Sequence, residues 1–235
     1  MLKLHQATKA IIMAAGTGDR LKPVTNTVPK PLIEVNGKRM IETLLDALIE
    51  NGINDIYIVV GHLKEQFNYL KEKYRVNIML ITNSKYNVCN NISSLYVARE
   101  YLGNCIITDG DLIIHNPNIL NPYFEASGYC SAWTDKTDEW LQTVDENGNV
   151  LSCSRTGGHN GWQLFSISFW SEEDGEQLRN HLEEAFESNP HIYWDDIPMF
   201  HYKEHYNLKI RQINHSDLVE IDSVEELNRL YNAAK

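Results

Sequence analysis

A glycine turn followed by two cationic side chains stands directly after the first apolar run of the chain. The sequence AAGTGDRLKPVTNTVPKP, residues 14–31, contains Gly16, Gly18, Arg20 and Lys30. Backbone N–H groups at such glycines can cradle phosphate oxygens because no Cβ atom blocks their approach. Arginine and lysine would add a hydrogen-bonding fork and a point charge. The spacing fits neither the dinucleotide fingerprint nor the P-loop, so an ordinary turn with two surface cations is the alternative at this point.

Two pairs of carboxylates, far apart in the chain, have a spacing that suits magnesium. Asp109 and Asp111 stand in TDGD, and Glu220 and Asp222 stand in VEIDS. Mg²⁺ prefers oxygen ligands and often takes one or two carboxylates together with substrate phosphates. Each pair taken alone is also compatible with a solvated surface. Asp222 could instead help to cap a helix that begins after Ser223.

Aromatic residues beside acids are concentrated in the second half of the chain. The segment DEW ends at Trp140, and YWDD contains Tyr193, Trp194 and Asp195. Aromatic faces near a carboxylate recognise a quaternary ammonium, with about 0.5–2 kcal/mol for each contact. The alternative is that these aromatic side chains belong to the core.

Alternating strands and helices are predicted through the first half, and they would position these residues. Buried strands are predicted at 9–16, 55–61, 76–81 and 104–111, with helices at 39–53, 63–74 and 92–102. This alternation predicts an α/β fold, a Rossmann-like, doubly wound and mostly parallel sheet. Ligands of such sheets bind outside the carboxyl ends of the strands. The glycine turn and the pair Asp109 and Asp111 both fall at such ends, so we expect them on one rim.

The second half is less regular in its pattern. Strands are predicted at 130–135, 141–154, 161–170 and 208–213, with helices at 171–188 and 223–235. Ser171 suits the N-cap of the first of these helices, and Ser223 with Glu226 forms a capping-box pattern at the second. We predict one α/β domain over residues 1–235.

Composition and charge narrow the classes of partner. The formal net charge is −11, which disfavours non-specific binding to nucleic acid or to an anionic membrane surface. No apolar run approaches the roughly 20 residues of a membrane span. The first ten residues lack the apolar core of a signal peptide and are expected to be a short leader before the first strand. The four cysteines lack CxxC spacing, so we expect reduced thiols in the cytoplasm.

The segment from the glycine turn through Pro-Lys-Pro resembles the signature of the nucleotidyltransferases that activate sugar phosphates and phosphocholine. In that family the glycine turn binds a nucleoside triphosphate. The resemblance implies that Arg20 contacts the outer phosphates and that Lys30 stabilises charge at the reacting phosphates. It also implies that Asp111 and Asp222 hold a catalytic Mg²⁺, with Asp109 and Glu220 as second choices.

Residues 9–230 more closely resemble the bacterial CTP:phosphocholine cytidylyltransferases, through segments such as NNISSLY, DEW, YWDD and EIDSVEEL. The resemblance assigns nucleotide binding to Ala14, Ala15, Gly16, Gly18, Asn87, Asn90, Ser94 and Asp109. It assigns enclosure of a trimethylammonium group to Trp140, Tyr193, Trp194 and Asp195. The stretch CSRTGGHNGW, residues 153–162, matches nothing in the family pattern and is expected to form a loop.

The resemblance therefore implies transfer of CMP from CTP to phosphocholine, giving CDP-choline and pyrophosphate. It divides the chain into a nucleotide-binding half at about 9–111, an acceptor-binding half at about 112–222 and a C-terminal helix at 223–235. A cytidylyltransferase for 2-aminoethylphosphonate or phosphoethanolamine, and a sugar-1-phosphate nucleotidyltransferase, are alternatives. A catalytically silent nucleotide-binding module is the non-enzymatic alternative. The oligomeric state is left open.

Overall fold

The computed structural model describes residues 4–233 of the chain. Two predicted segments lie partly outside the described residues. These are the leader, at residues 1–3, and the last helix, at residues 234–235. The α-helices are α1 (Met40–Glu50), α2 (Leu70–Lys73), α3 (Ile92–Val97), α4 (Glu172–Ser188) and α5 (Val224–Ala233). The strands of the first half are β1 (His5–Gln6), β2 (Lys9–Ala14), β3 (Glu34–Val35), β4 (Lys38–Arg39), β5 (Asp55–Val60), β6 (Asn77–Thr82), β7 (Cys105–Asp109) and β8 (Leu112–Ile114). The later strands are β9 (Tyr123–Phe124), β10 (Gly128–Thr137), β11 (Leu141–Val144), β12 (Val150–Ser154), β13 (Gly158–Trp170), β14 (Arg211–Gln212) and β15 (Leu218–Glu220).

Four parallel strands in the order β7-β2-β5-β6 form the centre of the main sheet. Successive residues of β2 point to opposite faces, as the pleat requires. Ile12 packs with α1 on one face, whereas Ile11 packs with α3 and α4 on the other. The predicted Rossmann-like, doubly wound α/β fold is therefore confirmed.

The second half extends this sheet instead of forming a separate one. Strand β13 pairs antiparallel with β7, and β10 and β11 pair antiparallel with β13. The glycine-rich stretch at 153–162 is not a free loop: it includes the end of β12, the turn that carries the chain past β11, and the first residues of β13. The strand predicted at 208–213 is reduced to the two residues of β14.

The helices predicted at 63–74 and 92–102 are shorter than expected. The first is a 3₁₀ turn (Lys64–Phe67) followed by the single turn α2, and the second ends at Val97 before another 3₁₀ turn. Phe67 and Leu70 are both fully buried, and their spacing of three suits the tighter 3₁₀ geometry. Among residues 4–233, no helix has the length and apolar character to cross a membrane.

Candidate active site

The glycine turn follows the carboxyl end of β2, and its two glycines have different roles. Gly18 has a positive φ of 65°, and a Cβ atom there would lie 2.8 Å from Cγ2 of Thr25 and 3.2 Å from Cβ of Lys30. The Thr25 hydroxyl also donates a hydrogen bond to the Gly18 carbonyl at 2.9 Å. A Cβ atom on Gly16, in contrast, would meet no heavy atom within 4 Å. Gly18 is therefore required by local packing, whereas Gly16 leaves open space in front of the turn.

Lys30 lies between the two aspartates that the sequence assigned to magnesium. It begins a 3₁₀ turn after Pro29, and only 8% of the residue is exposed. Its Nζ atom is 2.6 Å from Oδ2 of Asp111 and 2.9 Å from Oδ1 of Asp222. Burial alone would lower the pKa of Lys30, but the two carboxylates outweigh it and raise the pKa above its usual value. Arg20 reaches the same Oδ1 atom of Asp222 at 2.7 Å.

A short antiparallel ribbon brings the two aspartates together across the chain. Strands β8 and β15 pair so that Leu112 stands opposite Glu220. Asp111 directly precedes β8, and Asp222 follows β15 by two residues. The Asp222 side chain does not cap α5, because Glu226 of the capping box accepts the N–H groups of Asp222 and Ser223. The predicted capping box is thus confirmed.

The turn between β7 and β8 holds its two aspartates against β2. The Gly110 N–H donates to the Met13 carbonyl at 2.9 Å, and a Cβ atom on Gly110 would lie 3.1 Å from Cβ of Ala14. Burial, with Asp111 nearby, raises the pKa of Asp109 well above its usual value. Burial, with Asp111 and Asp222 nearby, likewise raises the pKa of Glu220 to about 8. Both acids therefore resist ionisation at this rim, and a bound cation would favour their charged forms.

The donor set fits a magnesium ion. Oδ1 of Asp111 is buried and has no hydrogen-bond partner among the described residues, although Oδ2 is paired with Lys30. A buried carboxylate oxygen without a partner is costly unless a ligand satisfies it. Within residues 4–233, no three His, Cys, Asp or Glu side chains form a complete metal site. An ion held by Asp111 and Asp222 would need substrate phosphates or water for its remaining ligands.

A cleft of about 370 Å³ opens beside this rim. Most of the residues predicted to bind the nucleotide line it, namely Ala14, Ala15, Gly16, Gly18, Asn90, Ser94 and Asp109. Asn87 is exposed and is not among the residues that line the cleft, so its assignment to nucleotide binding stays a prediction. Sequence reasoning missed Thr17, Tyr86, Asn91 and Ser93, which do line it. Asn91 and Ser93 lie in the NNISSLY segment, so the family resemblance could have identified them as residues of the nucleotide site.

Three aromatic side chains, Trp140, Tyr193 and Phe200, form what we call the aromatic wall. The Trp140 ring meets Tyr193 edge-on at a centroid distance of 6.1 Å and Phe200 at 5.5 Å. Tyr193 is 48% exposed, so part of the wall is open. Sequence reasoning did not select Phe200, which lies in a π-helical turn (Ile197–His201) four residues beyond YWDD.

Trp194 lies in the core and not on the aromatic wall. It is 3% exposed, and its ring stacks on Tyr129 at 6.0 Å and meets Trp170 edge-on at 5.9 Å. The prediction that it offers a face to a trimethylammonium group is corrected by this burial. Its backbone N–H donates to Oδ1 of Asn91 at 2.9 Å, which ties this segment to the cleft.

Asp195 connects the aromatic wall with the rim electrostatically. Burial, opposed by hydrogen bonding, raises the pKa of Asp195 to about 7. Asp195 is also among the carboxylates that raise the pKa of Asp109. The two acids are therefore close enough to interact.

These features define a class of α/β protein that handles phosphates at the carboxyl edge of a parallel sheet. A glycine turn, a lysine and two carboxylates converge there, without a paired nucleophile and base. Such a site acts by positioning charged groups and stabilising charge.

Comparison with known proteins identifies the family. A family model described as nucleotidyl transferase matches residues 9–126, and the chain belongs to this family. The chain is 38% identical to a 2-aminoethylphosphonate cytidylyltransferase of Lancefieldella rimae, covering 94% of this chain and 91% of the relative. It is 36% identical to a choline-phosphate cytidylyltransferase of Streptococcus pneumoniae, covering 97% and 98%. A solved CTP:phosphocholine cytidylyltransferase from Streptococcus pneumoniae superposes with a TM-score of 0.88 at 35% identity, covering 97% and 99%.

Proposed function

We propose that this protein transfers CMP from CTP to phosphocholine and releases pyrophosphate. The observation that carries the proposal is Lys30 held between Asp111 and Asp222 at the end of the cleft that the glycine turn lines. A phosphate oxygen of phosphocholine attacks the α-phosphorus of CTP and forms a new P–O bond. The bond from that phosphorus to the β-phosphate oxygen breaks, and pyrophosphate leaves with the electron pair.

Lys30 and Arg20 supply cationic donors for this transfer. Lys30 is buried and fully charged, so its field acts on the reacting phosphates with little screening by water. Arg20 has a side chain that is 72% exposed, which suits contact with the outer phosphates and with departing pyrophosphate. No covalent intermediate is required, so rate enhancement comes from positioning and charge neutralisation.

We propose Mg²⁺ as the cofactor, held by Asp111 and Asp222. The unpartnered Oδ1 atom of Asp111 and the oxygen-only donor set support this proposal. When bound, magnesium neutralises charge on the phosphates during in-line displacement. The exchange of Lys30 from these carboxylates to phosphate oxygens would accompany substrate binding.

The aromatic wall supports phosphocholine as the acceptor. A trimethylammonium group has no N–H to donate, so aromatic faces and diffuse negative charge are what recognise it. Tyr193 and Trp140 would supply the faces, and Asp195, in the same YWDD segment as Tyr193, would supply the charge. We also propose a reducing, cytoplasmic setting, which the four free thiols support.

A second candidate acceptor is 2-aminoethylphosphonate. The relative from Lancefieldella rimae, named for that substrate, has 38% identity over nearly the whole chain. A primary ammonium would need direct acceptors at hydrogen-bond distance, and Asp195, two residues after Tyr193 in the chain, is a candidate.

A substrate screen separates these possibilities. CTP, UTP, ATP and GTP are each incubated with phosphocholine, 2-aminoethylphosphonate, phosphoethanolamine or glucose 1-phosphate, and pyrophosphate release is measured with Mg²⁺. We expect turnover with CTP and phosphocholine, and ³¹P NMR should show the new phosphoanhydride. The Asp111→Asn variant is the matched inactive control. Faster turnover of another acceptor would contradict the proposed acceptor, and no turnover with any pair would contradict the proposed activity.

A further inference from the structure

We propose that Arg155 is a positioning residue that holds the aromatic wall in shape for the acceptor. The proposal rests on the proposed function, because it concerns the same acceptor site. Arg155 lies in the glycine-rich stretch that matched no family pattern, and the proposed chemistry does not use it. Its guanidinium group contacts two wall residues and the acid that anchors the third.

The turn that carries Arg155 is packed against the segment leading to Trp140. The Ser154 hydroxyl donates to the Gly157 carbonyl at 2.8 Å, which closes the turn. Gly157 has a φ of +70°, and a Cβ atom there would lie 2.0 Å from the Thr137 carbonyl oxygen. Only glycine fits this close approach, so the position of Arg155 relative to the wall is well defined.

The guanidinium group joins separate parts of the wall. Its carbon lies 3.6 Å from the centroid of the Phe200 ring and 5.8 Å from that of Trp140. Its Nε and Nη2 atoms lie 2.7 Å and 2.6 Å from Oδ1 of Asp196. The other oxygen of Asp196 accepts the N–H of Tyr193 at 3.0 Å. One side chain therefore links Trp140 and Phe200 directly and Tyr193 through Asp196.

The burial of Asp196 distinguishes this link from an ordinary surface ion pair, although the Arg155 side chain is 45% exposed. Asp196 is 4% exposed, so its charge depends on Arg155 and on the Tyr193 N–H for compensation. Exposed ion pairs contribute little, but removing one partner of a buried pair leaves an uncompensated charge. Loss of Arg155 would therefore release Asp196 and, with it, the backbone position of Tyr193.

The same contacts give the adjacent acids Asp195 and Asp196 different roles. Arg155 neutralises Asp196, whereas the side chains of Tyr129 and Asn91 favour the charged form of Asp195, which has no cationic partner among residues 4–233, so an acceptor cation could balance its charge. Arg155 also covers a face of Phe200, so the open part of the wall is formed by Trp140 and Tyr193. Arg155 thus sets which faces and which charge the acceptor meets.

The experiment compares Michaelis constants in a double-mutant cycle. The variants are Arg155→Met, Asp196→Asn and the double variant, with Arg155→Lys as the conservative replacement. Arg99→Met is the matched control, because Arg99 also pairs with a carboxylate, Glu183 at 2.8 Å, and stacks on Tyr96 at 4.2 Å. KM for the acceptor and for CTP, kcat and Tm are measured for each, and calorimetric titration gives acceptor affinity independently of turnover.

We expect Arg155→Met to raise the acceptor KM and dissociation constant about fivefold or more, because small misplacement of a binding group has effects of this order. KM for CTP should stay within about twofold, and the double variant should be no worse than the worse single variant, as coupled residues show. Arg155→Lys should recover little, since lysine lacks the planar fork. Arg99→Met should lower Tm without changing the acceptor KM.

Several results would overturn the inference. An unchanged acceptor KM with a lowered Tm would give Arg155 a purely structural role. A fall in acceptor KM would mean that the guanidinium competes with the acceptor cation for the aromatic faces. Equal rises in both Michaelis constants would indicate general distortion. If the wild-type protein does not use phosphocholine, the proposed acceptor fails separately, and the cycle is read with the acceptor that the wild type binds best.

Discussion

The ammonium group of Lys30 lies 2.9 Å from Oδ1 of Asp222, a residue 192 positions later in the chain. The same group lies 2.6 Å from Asp111, so one cation joins carboxylates from two distant segments. Asp111 and Asp222 would hold the proposed magnesium, and Lys30 offsets part of their negative charge.

The first prediction concerns the two aspartates. Asp111→Asn and Asp222→Asn should each lower kcat by about 100-fold or more, because each removes a carboxylate that would hold the charge-neutralising magnesium. Pyrophosphate release with saturating CTP and Mg²⁺ measures the effect, and circular dichroism verifies the fold. Asp135→Asn, at an exposed position of β10, is the control and should behave like wild type. Near-normal turnover in either test variant would remove that residue from the metal site.

The second prediction concerns Lys30. Because its charge acts on the reacting phosphates, Lys30→Ala should lower kcat by a larger factor than it raises KM for CTP. Steady-state kinetics with CTP varied at saturating acceptor give the split. A change confined to KM would make Lys30 a residue for ground-state binding.

The third prediction separates the two glycines of the turn. Gly16→Ala should raise KM for CTP with little change in Tm, because the added methyl group enters open space at the cleft. Gly18→Ala should destabilise the fold by about 1–2 kcal/mol, because its φ is positive and Thr25 is too close. Chemical denaturation and CTP kinetics on both variants test this. Equal stability of the two would contradict the different roles.

The fourth prediction concerns acceptor choice. Phosphocholine should exceed phosphoethanolamine in kcat/KM by at least about tenfold, or about 1.4 kcal/mol. Tyr193→Ala should reduce that preference with little loss of stability, since Tyr193 is half exposed. Trp194→Ala should instead cost about 3–5 kcal/mol of stability, because it empties a buried aromatic site. A stable Trp194→Ala protein with an altered preference between the two acceptors would show that Trp194 belongs to the acceptor site.

The fifth prediction concerns Asp195 and pH. Its pKa of about 7 in the folded protein is above the value of 3.8 for an ordinary aspartate. The folded state therefore binds more protons between these values, and this group's contribution to stability falls as pH rises from about 4 to about 7. The ionised form attracts the acceptor cation, so acceptor affinity should rise over the upper part of that range.

The Asp195→Asn variant serves as the comparison for this pH effect. In this variant, the free energy of unfolding should not show the decline between about pH 4 and 7 that titration of Asp195 causes in the wild type. Denaturant unfolding and acceptor titration at several pH values give both readouts. Identical profiles for wild type and variant would show that Asp195 does not titrate in this range.

Much of the first half was predictable because its signals are local. The strand ending at the glycine turn, helix α1 and the strand before Asp109 each have an apolar pattern of regular period. Parallel strands place their carboxyl ends on one edge, so the turn and the first carboxylate pair were expected together. The meeting of Asp111 with Asp222 came from family resemblance, since nothing local specifies the pairing of β8 with β15.

The amino-acid sequence by itself therefore determined the α/β alternation, the glycine turn and the types of side chain at the site. Only the tertiary structure decided that Trp194 is buried, that Phe200 joins the wall and that Arg155 links it to Asp196. Residues 193–200 lack a regular period, so the direction of each side chain depends on partners from distant segments. Such partners become defined only when β13 pairs with β7 and the turn between β12 and β13 packs against the segment before Trp140.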